Sequence, residues 1–306
     1  MGAQLRVYRR RIRSTKSMAK ITRAMELIAT TRISKAQRAV EAAGPYAREI
    51  TRAVSALAQR VTDHPLLTES ENPTRAAVLV ITSDKGLAGA YTANAIKESE
   101  RLSALLRNQG KDVVQYVVGR KGVAFNQFRQ RAMERTWEGI TERPSYADAK
   151  EIASVLMDRF TKDSATEDGV DEIHIVSTEF VSMLTQNAAS HRALPLEVEE
   201  VDAEVLEAEQ GGPLPLYDFE PSAEEALNQL LPQYVTNRIY FALLESAASQ
   251  QASRRNAMKA ATDNAEELAK TLTRQANQAR QAEITNEISE IVGGADALAA
   301  ARAGSE

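Results

Sequence analysis

The sequence predicts a mixed α/β protein with a long antiparallel coiled coil of N- and C-terminal helices plus a central Rossmann-like α/β domain. Three observations predict it. In the 306-residue chain no Gly or Pro occurs from Ala3 to Ala43, and none occurs from Gln233 to Val292. Apolar and small residues in both stretches recur at alternating three- and four-residue spacing, the rhythm of a helix with one buried seam. Between them, short β-branched runs alternate with helical runs, as in an α/β domain. The expected division is an N-terminal coiled-coil helix at 1–60, a central α/β domain at 73–200 and a C-terminal coiled-coil helix at 213–306.

In the first stretch Met18, Ile21, Met25 and Ile28 keep the seam rhythm and are expected to pack. Arg6, Arg9, Arg13, Lys16, Lys20 and Arg23 mark a basic stripe on roughly the opposite face. At 1.5 Å per residue the two uninterrupted stretches would reach about 60 Å and about 90 Å, too long to stand without a partner helix.

In the middle region Ala76–Thr82, Val113–Val118 and Glu172–Ser177 are the strand candidates, and residues 180–198 are expected to hold a further strand. Helices fit Ala93–Leu106 and Tyr146–Phe160, the latter opening after Pro144 with Ser145 as N-cap. The acidic stretch Glu199–Gln210, followed by Gly211, Gly212 and Pro213, reads as a loop before the last helix.

In the last helix Met258, Ala261, Ala265, Leu268, Leu272, Gln275, Ala279 and Ala282 define the expected seam. This spacing implies a left-handed supercoil, and its alanines allow close approach of the partner backbone while burying little area each. Because the middle domain receives the first helix and launches the last, both are expected to leave the same side of it and to run antiparallel.

Composition sets further limits. There is no cysteine, which excludes disulfides, thiolate metal sites and cysteine nucleophiles. The longest apolar run, Ala76 to Ile81, is far short of the ~20 residues that span a bilayer. Residues 1–60 hold 14 Lys/Arg against 3 Asp/Glu, leaving 24 against 39 in the rest, so the two parts face different partners. The basic start has some transit-peptide character, but its helical pattern runs past any plausible cleavage point, and it reads as a cytosolic N-terminus.

No catalytic, cofactor or metal site is expected. Ser83-Asp84-Lys85-Gly86-Leu87-Ala88-Gly89-Ala90 sits at a strand-to-helix turn, yet it lacks both the Gly-x-x-x-x-Gly-Lys-Ser/Thr and the Gly-x-Gly-x-x-Gly order, which favours a structural turn. His64, His174 and His191 have no metal-ligand spacing. Glu199-Glu200 lies in a charge-rich run with no apolar surroundings to shift a pKa. A nucleotide-binding enzyme using Gly86 and Gly89 is one competing reading. A coiled coil lying on nucleic acid is another, and the acidic balance of the remaining chain argues against it in favour of an acidic protein partner.

Two strings then carry a resemblance. Lys20-Ile21-Thr22-Arg23-Ala24-Met25-Glu26-Leu27-Ile28-Ala29, with Arg32 and Lys35-Ala36-Gln37, and Ile284-Thr285-Asn286-Glu287-Ile288-Ser289-Glu290-Ile291-Val292-Gly293-Gly294-Ala295 resemble the first-helix motif and C-terminal signature of the γ subunits of F-type ATP synthases. Met258 to Ala265 adds to them. The turn Ser83–Tyr91 is similar to the family's central motif, with Lys85 where arginine is more usual and Ala88 where cysteine is frequent. The lack of cysteine points to a bacterial-type member without thiol regulation.

The resemblance implies a rotor of a proton-translocating ATP synthase. Its coiled coil would stand inside a ring of three α and three β subunits, and its α/β domain would meet the ε subunit and the membrane c-ring. It would bind neither nucleic acid nor a cofactor, would reach the membrane only through the complex, and would lie peripherally on the cytoplasmic side. Met25, Arg254, Gln281, Thr285 and Glu287 match positions where the family's shaft meets β subunits, and the basic stripe gains an acidic lever of β as partner.

Overall fold

The computed structural model describes residues 3–58, 70, 72–164, 168–196, 220 and 222–303. His64, Glu199-Glu200, the acidic stretch Glu199–Gln210 and the loop at Gly211, Gly212 and Pro213 lie outside them. In chain order the elements are α1 (Ala3–Ala58), β1 (Arg75–Ile81), α2 (Tyr91–Asn108), β2 (Asp112–Val118), α3 (Arg120–Phe128), β3 (Arg135–Trp137), α4 (Tyr146–Phe160), β4 (Glu172–Phe180), β5 (Gln186–Leu194) and α5 (Ala223–Ala303). They fall into two compact units, one of residues 1–28 and 255–306 and one of residues 29–254.

The unit of residues 29–254 is built on a five-stranded sheet of order β3-β2-β1-β4-β5. β1 pairs in parallel with β2 and β4, β2 pairs in parallel with β3, and only β5 runs antiparallel, against β4. A parallel strand covered on both faces must be apolar throughout, and β1 is: Ala77, Leu79 and Ile81 enter one core, Ala76, Val78 and Val80 the other. The first core is closed by Ile50, Val54 and Leu57 of α1, Ile152 and Leu156 of α4, and Leu227, Leu231, Val235, Ile239 and Leu243 of α5. Leu102 and Leu106 of α2 and Val123 of α3 close the second.

Both long helices run past the residues expected to interrupt them. α1 continues through Gly44 and Pro45, and α5 takes in Pro232 and Gly293-Gly294. An internal proline costs a helix about 3 kcal/mol. Burial offsets this: Ile50, Val54 and Leu57 follow Pro45, and Leu227, Leu231 and Val235 flank Pro232, all at 4% exposure or less. Four such side chains already recover more than that cost.

The capping expectation at α4 is met by a reciprocal pair, with Ser145 Oγ accepting from the Asp148 amide at 3.2 Å and Asp148 Oδ2 accepting from the Ser145 amide at 2.7 Å. α3 and β3 carry no apolar rhythm and were not expected. Thr82 at the end of β1 holds α3 in place, its Oγ1 accepting from the Gly122 amide at 3.0 Å. The fit leaves no room for side chains: a Cβ on Gly119 or Gly122 would come within 2.7 Å of Thr82 Oγ1, and Gly119 also has φ +99°, which favours glycine.

At the start of β4 the buried Glu172 accepts from Lys111 Nζ at 2.6 Å and lies 3.0 Å from His174 Nε2. Burial pushes its carboxyl up, but the His174 and Lys111 bonds outweigh burial and hold it at about 2. A carboxylate depressed in the folded state stabilises above its unfolded pKa and loses that contribution as pH falls through the folded value. Acid titration of the chain is therefore expected to cost of the order of 3 kcal/mol between pH 5 and pH 2 through this group. Glu172→Gln should remove that part of the slope in urea unfolding curves.

Candidate functional site

In the unit of residues 1–28 and 255–306, α1 and α5 pack side by side in opposite directions. Thr22 Oγ1 meets Thr262 Oγ1 at 2.7 Å, and Arg23 Nη1 lies 3.9 Å from Glu266 Oε1. Lys16 and Thr273 line one groove farther along. As numbers fall along α1 they rise along α5, which fixes the antiparallel sense.

Against the expected seam, every second position of α5 and each position of α1 is shifted by one residue. On α5 the inward residues are Met258, Thr262, Ala265, Ala269, Leu272 and Ala276, all buried, with Ala279 half-buried. Met258, Ala265, Leu272 and Ala279 match the expectation. Ala261 is half-buried, Gln275 and Ala282 are exposed, and Leu268 is 51% exposed. On α1 the seam is Leu5, Tyr8, Ile12, Thr15, Ala19, Thr22 and Glu26, so Met18, Ile21 and Ile28, expected to pack, are 54%, 55% and 51% exposed.

The physical reason is close approach. Threonines and alanines at the contact let the two backbones come near enough for dispersion along the whole seam. The Thr22–Thr262 bond forms only in this register, with Thr262 Oγ1 also donating to the Met258 carbonyl at 2.9 Å. The larger side chains are thereby turned outward. The stripe Arg6, Arg9, Arg13, Lys16, Lys20 and Arg23 is exposed, as its spacing implied.

Among the expected contact residues, Met25 is half-buried beside the seam, and Gln281, Thr285 and Glu287 are exposed on distal α5. Thr285 Oγ1 donates to the Gln281 carbonyl at 3.0 Å, which puts these two on one face and leaves Glu287 on another. Interleaved with them, Ile284, Ile288, Ile291 and Val292 repeat at three- and four-residue spacing and are 48% to 71% exposed.

Arg254 stands apart from that group. It belongs to the unit of residues 29–254 and is 5% exposed. Its Nη1 lies 2.9 Å from Glu142 Oε1, close as an ion pair though off the angle of a hydrogen bond. Glu142 Oε2 accepts from Arg32 Nη1 at 2.5 Å and from Lys85 Nζ at 3.0 Å. One carboxylate thus gathers cations from α1, α5 and the turn after β1. Burial pushes the Glu142 carboxyl up, and the Lys85 bond with the charges of Arg254 and Arg32 more than reverses this, so it lies below its usual range. Burial pushes the Arg254 guanidinium down, opposed by Glu142.

Asp84 positions this clamp. Its carboxylate accepts from the amides of Arg120 at 3.1 Å, Gly139 at 2.8 Å and Thr141 at 3.0 Å, and from Thr141 Oγ1 at 2.8 Å. Burial raises its pKa, and these bonds bring it below the ordinary value. Fixing Thr141 fixes Glu142 beside it. The turn at Ser83–Ala90 therefore works through the side chain of Asp84, with positive φ at Leu87 and Gly89. The sequence reading missed Glu142 and Asp84, and only the position of Asp84 inside the family-like turn offered a signal.

The family model described as ATP synthase matches residues 4–298. The ATP synthase gamma chain of Thermobifida fusca is 80% identical over 306 residues, all of both chains. That of Streptomyces coelicolor is 58% identical over 311 aligned positions, again all of both chains. In fold, the chain is similar to one in the mitochondrial ATP synthase of Euglena gracilis, an OSCP/F1/c-ring structure, with TM-score 0.66, 17% identity and coverage of 99% and 97%. It is also similar to one in the central stalk and c-ring structure of Tetrahymena thermophila, with TM-score 0.57, 23% identity and coverage of 79% and 99%.

Proposed function

We propose that the chain, which belongs to the ATP synthase γ-chain family, is the central rotor stalk of a proton-translocating F-type ATP synthase. It carries rotation of the c-ring into a ring of three α and three β subunits, makes no bond itself, and binds the ε subunit through its α/β unit. It lies peripherally on the cytoplasmic side of the cell membrane and meets the membrane only through the complex. Among the described residues no helix is long and apolar enough to cross one.

The observation that carries this reading is the set of large apolar side chains that the two-helix unit leaves exposed. Met18, Ile21, Leu27 and Ile28 on α1 and Leu268, Ile284, Ile288, Ile291 and Val292 on α5 are all 48% exposed or more. Water disfavours exposed apolar side chains by about 25 cal/mol per Å², and a cluster such as Ile284, Ile288, Ile291 and Val292 on one helix is typical of a protein interface. A surrounding sleeve of α and β subunits relieves it. The exposed Arg and Lys of α1 add charge on other faces, so the surface differs from side to side, which a rotating axle needs to act on three β subunits in turn.

Met25, Gln281, Thr285 and Glu287 touch β subunits directly in this reading. Arg254 acts indirectly in this reading, by holding Glu142 and Lys85, whose own side chain is 65% exposed. A tagged chain drawn from its own membranes should bring down α, β, ε and c subunits together. Ile284→Asp with Ile288→Asp should lower recovery of the ring at least tenfold, and undiminished recovery with coupled ATP synthesis would count against the sleeve.

A further inference from the structure

Between α1 and α5, in the unit of residues 29–254, a cleft of about 700 Å³ opens against the sheet. Ala47 and Arg48 of α1 line one side, Arg238 and Phe241 of α5 the other, and Ile175 and Ser177 of β4 the floor. Its size falls within the ~300–1,000 Å³ of small-molecule sites, and apolar walls with a few polar groups are their usual make-up.

Two of the polar groups lack a partner. Ser177 and Asn237 line the cleft at 4% exposure each, and among the described residues neither side chain makes a hydrogen bond. A buried hydroxyl or amide left unpaired is destabilising, so an occupant that bonds to both is favoured over an apolar one.

The charges are sorted along the cleft. Tyr46 Oη donates to Gln233 Oε1 at 3.2 Å, which sets the level of α1 against α5. Because the helices are antiparallel, Arg48 lies from that level toward the start of α5, and Glu245 lies about 18 Å in the other direction. Arg238, next to Asn237, is ~10 Å short of Glu245 along the same helix. The Thr178 amide donates to Ser246 Oγ at 3.2 Å, which puts Ser177 at the Glu245 end. Among the described residues neither Arg48 nor Arg238 has a carboxylate within ion-pair distance, and Glu245 has no cation within it. By contrast Arg52 is held by Glu49 at 2.8 Å, and Glu179 has His191 Nε2 at 2.8 Å. Burial and the neighbouring Glu179 push the Glu245 carboxyl up, against the pull of His191 and Arg238.

The lining decides the guest. A simple anion would serve Arg48, Arg238 and Asn237 and leave Glu245 unmatched, and a simple cation would do the reverse. A bare metal ion is disfavoured as well, since among the described residues no three acids or histidines are grouped to hold one. A planar carboxylate matches the fork of a guanidinium, and an ammonium matches a carboxylate beside a hydroxyl.

We propose that the cleft binds a small zwitterion, its carboxylate taken by Arg48, Arg238 and the Asn237 amide, its ammonium by Glu245 and the Ser177 hydroxyl, and the chain between them by the apolar wall at Phe241. The site is independent of the rotor role.

The test titrates the full chain, with labelled asparagine side-chain amides, with 6-aminohexanoate, hexanoate and hexylamine. The first carries both charges at opposite ends of an alkyl chain, and the others carry one each. 6-Aminohexanoate should bind at least tenfold more tightly than either and should shift the Asn237 amide signal, identified by its loss in Asn237→Ser. Glu245→Gln should bring its affinity down to that of hexanoate, and Arg238→Gln should weaken it severalfold. Equal affinities of the wild-type chain for the three compounds, an unmoved Asn237 signal, or binding of a peptide bearing lysine and aspartate without binding of 6-aminohexanoate would each overturn the proposal.

Discussion

Leu268→Pro in the assembled complex is expected to cut ATP-driven proton movement more than tenfold while ATP hydrolysis by the ring continues. Leu268 is 51% exposed, so the effect does not come from a lost core side chain. Proline at this position cannot donate to the Asn264 carbonyl and its ring collides with it, at a cost of about 3 kcal/mol. Ala265 and Ala269, both buried in the seam, flank the break, so the two helices part where torsion must pass. Leu268→Ala keeps the backbone bond and is expected to keep coupling. Proton pumping and ATPase rates measured on the same vesicles separate the outcomes, and normal coupling in the proline variant would refute a continuous load path through α5.

Arg254→Glu has the second large effect, and its expected form follows from burial. In a surface-contact role, the substitution would disturb assembly or rotation and leave the α/β unit untouched. With Arg254 7% and Glu142 14% exposed at the side chain, it instead sets two carboxylates together out of water. Breaking a buried pair in this way costs about 3–5 kcal/mol, which for a unit of this size lowers the melting temperature by roughly 10 °C. Glu142→Gln on that background leaves one carboxylate for Arg32 and Lys85 and should restore part of the loss. Thermal melts of the four chains form the cycle. Equal melting temperatures for wild type and Arg254→Glu would return Arg254 to a purely external contact.

Much of the fold was legible. β1, β2 and β4 were marked by apolar runs, α2 and α4 by helical patterns, and the two long helices by the absence of Gly and Pro over long stretches. α3 and β3 were not, because Thr82 and Asp84 hold them by hydrogen bonds to backbone amides rather than by an apolar rhythm. The seam was half legible. The expected and observed registers share every second residue on α5 and none on α1, where each position is shifted by one, and hydrophobicity selects Leu268 and Ile21. Close packing selected Ala269 and Thr22, the smaller neighbours, and left the larger residues outside for a partner that the sequence does not contain.

The candidate site divides in the same way. Thr285 and Glu287 fall within a motif string, Gln281 lies three residues before it, and all three are exposed. Glu142 had no local mark, because its partners Lys85 and Arg32 are 57 and 110 residues away in sequence. Pairing over such distances is written in tertiary structure alone. Arg254 was named from its position in the family pattern, and the structure buries it against Glu142.

The most direct test of the rotor reading uses the absence of cysteine. Phe128→Cys places a single thiol at a residue 85% exposed, to which a gold bead is attached in a complex fixed to glass by its β subunits. With ATP supplied, the bead is predicted to turn in one direction, pausing once for each β subunit in a revolution. ATP hydrolysis at the normal rate with a stationary bead would contradict the account.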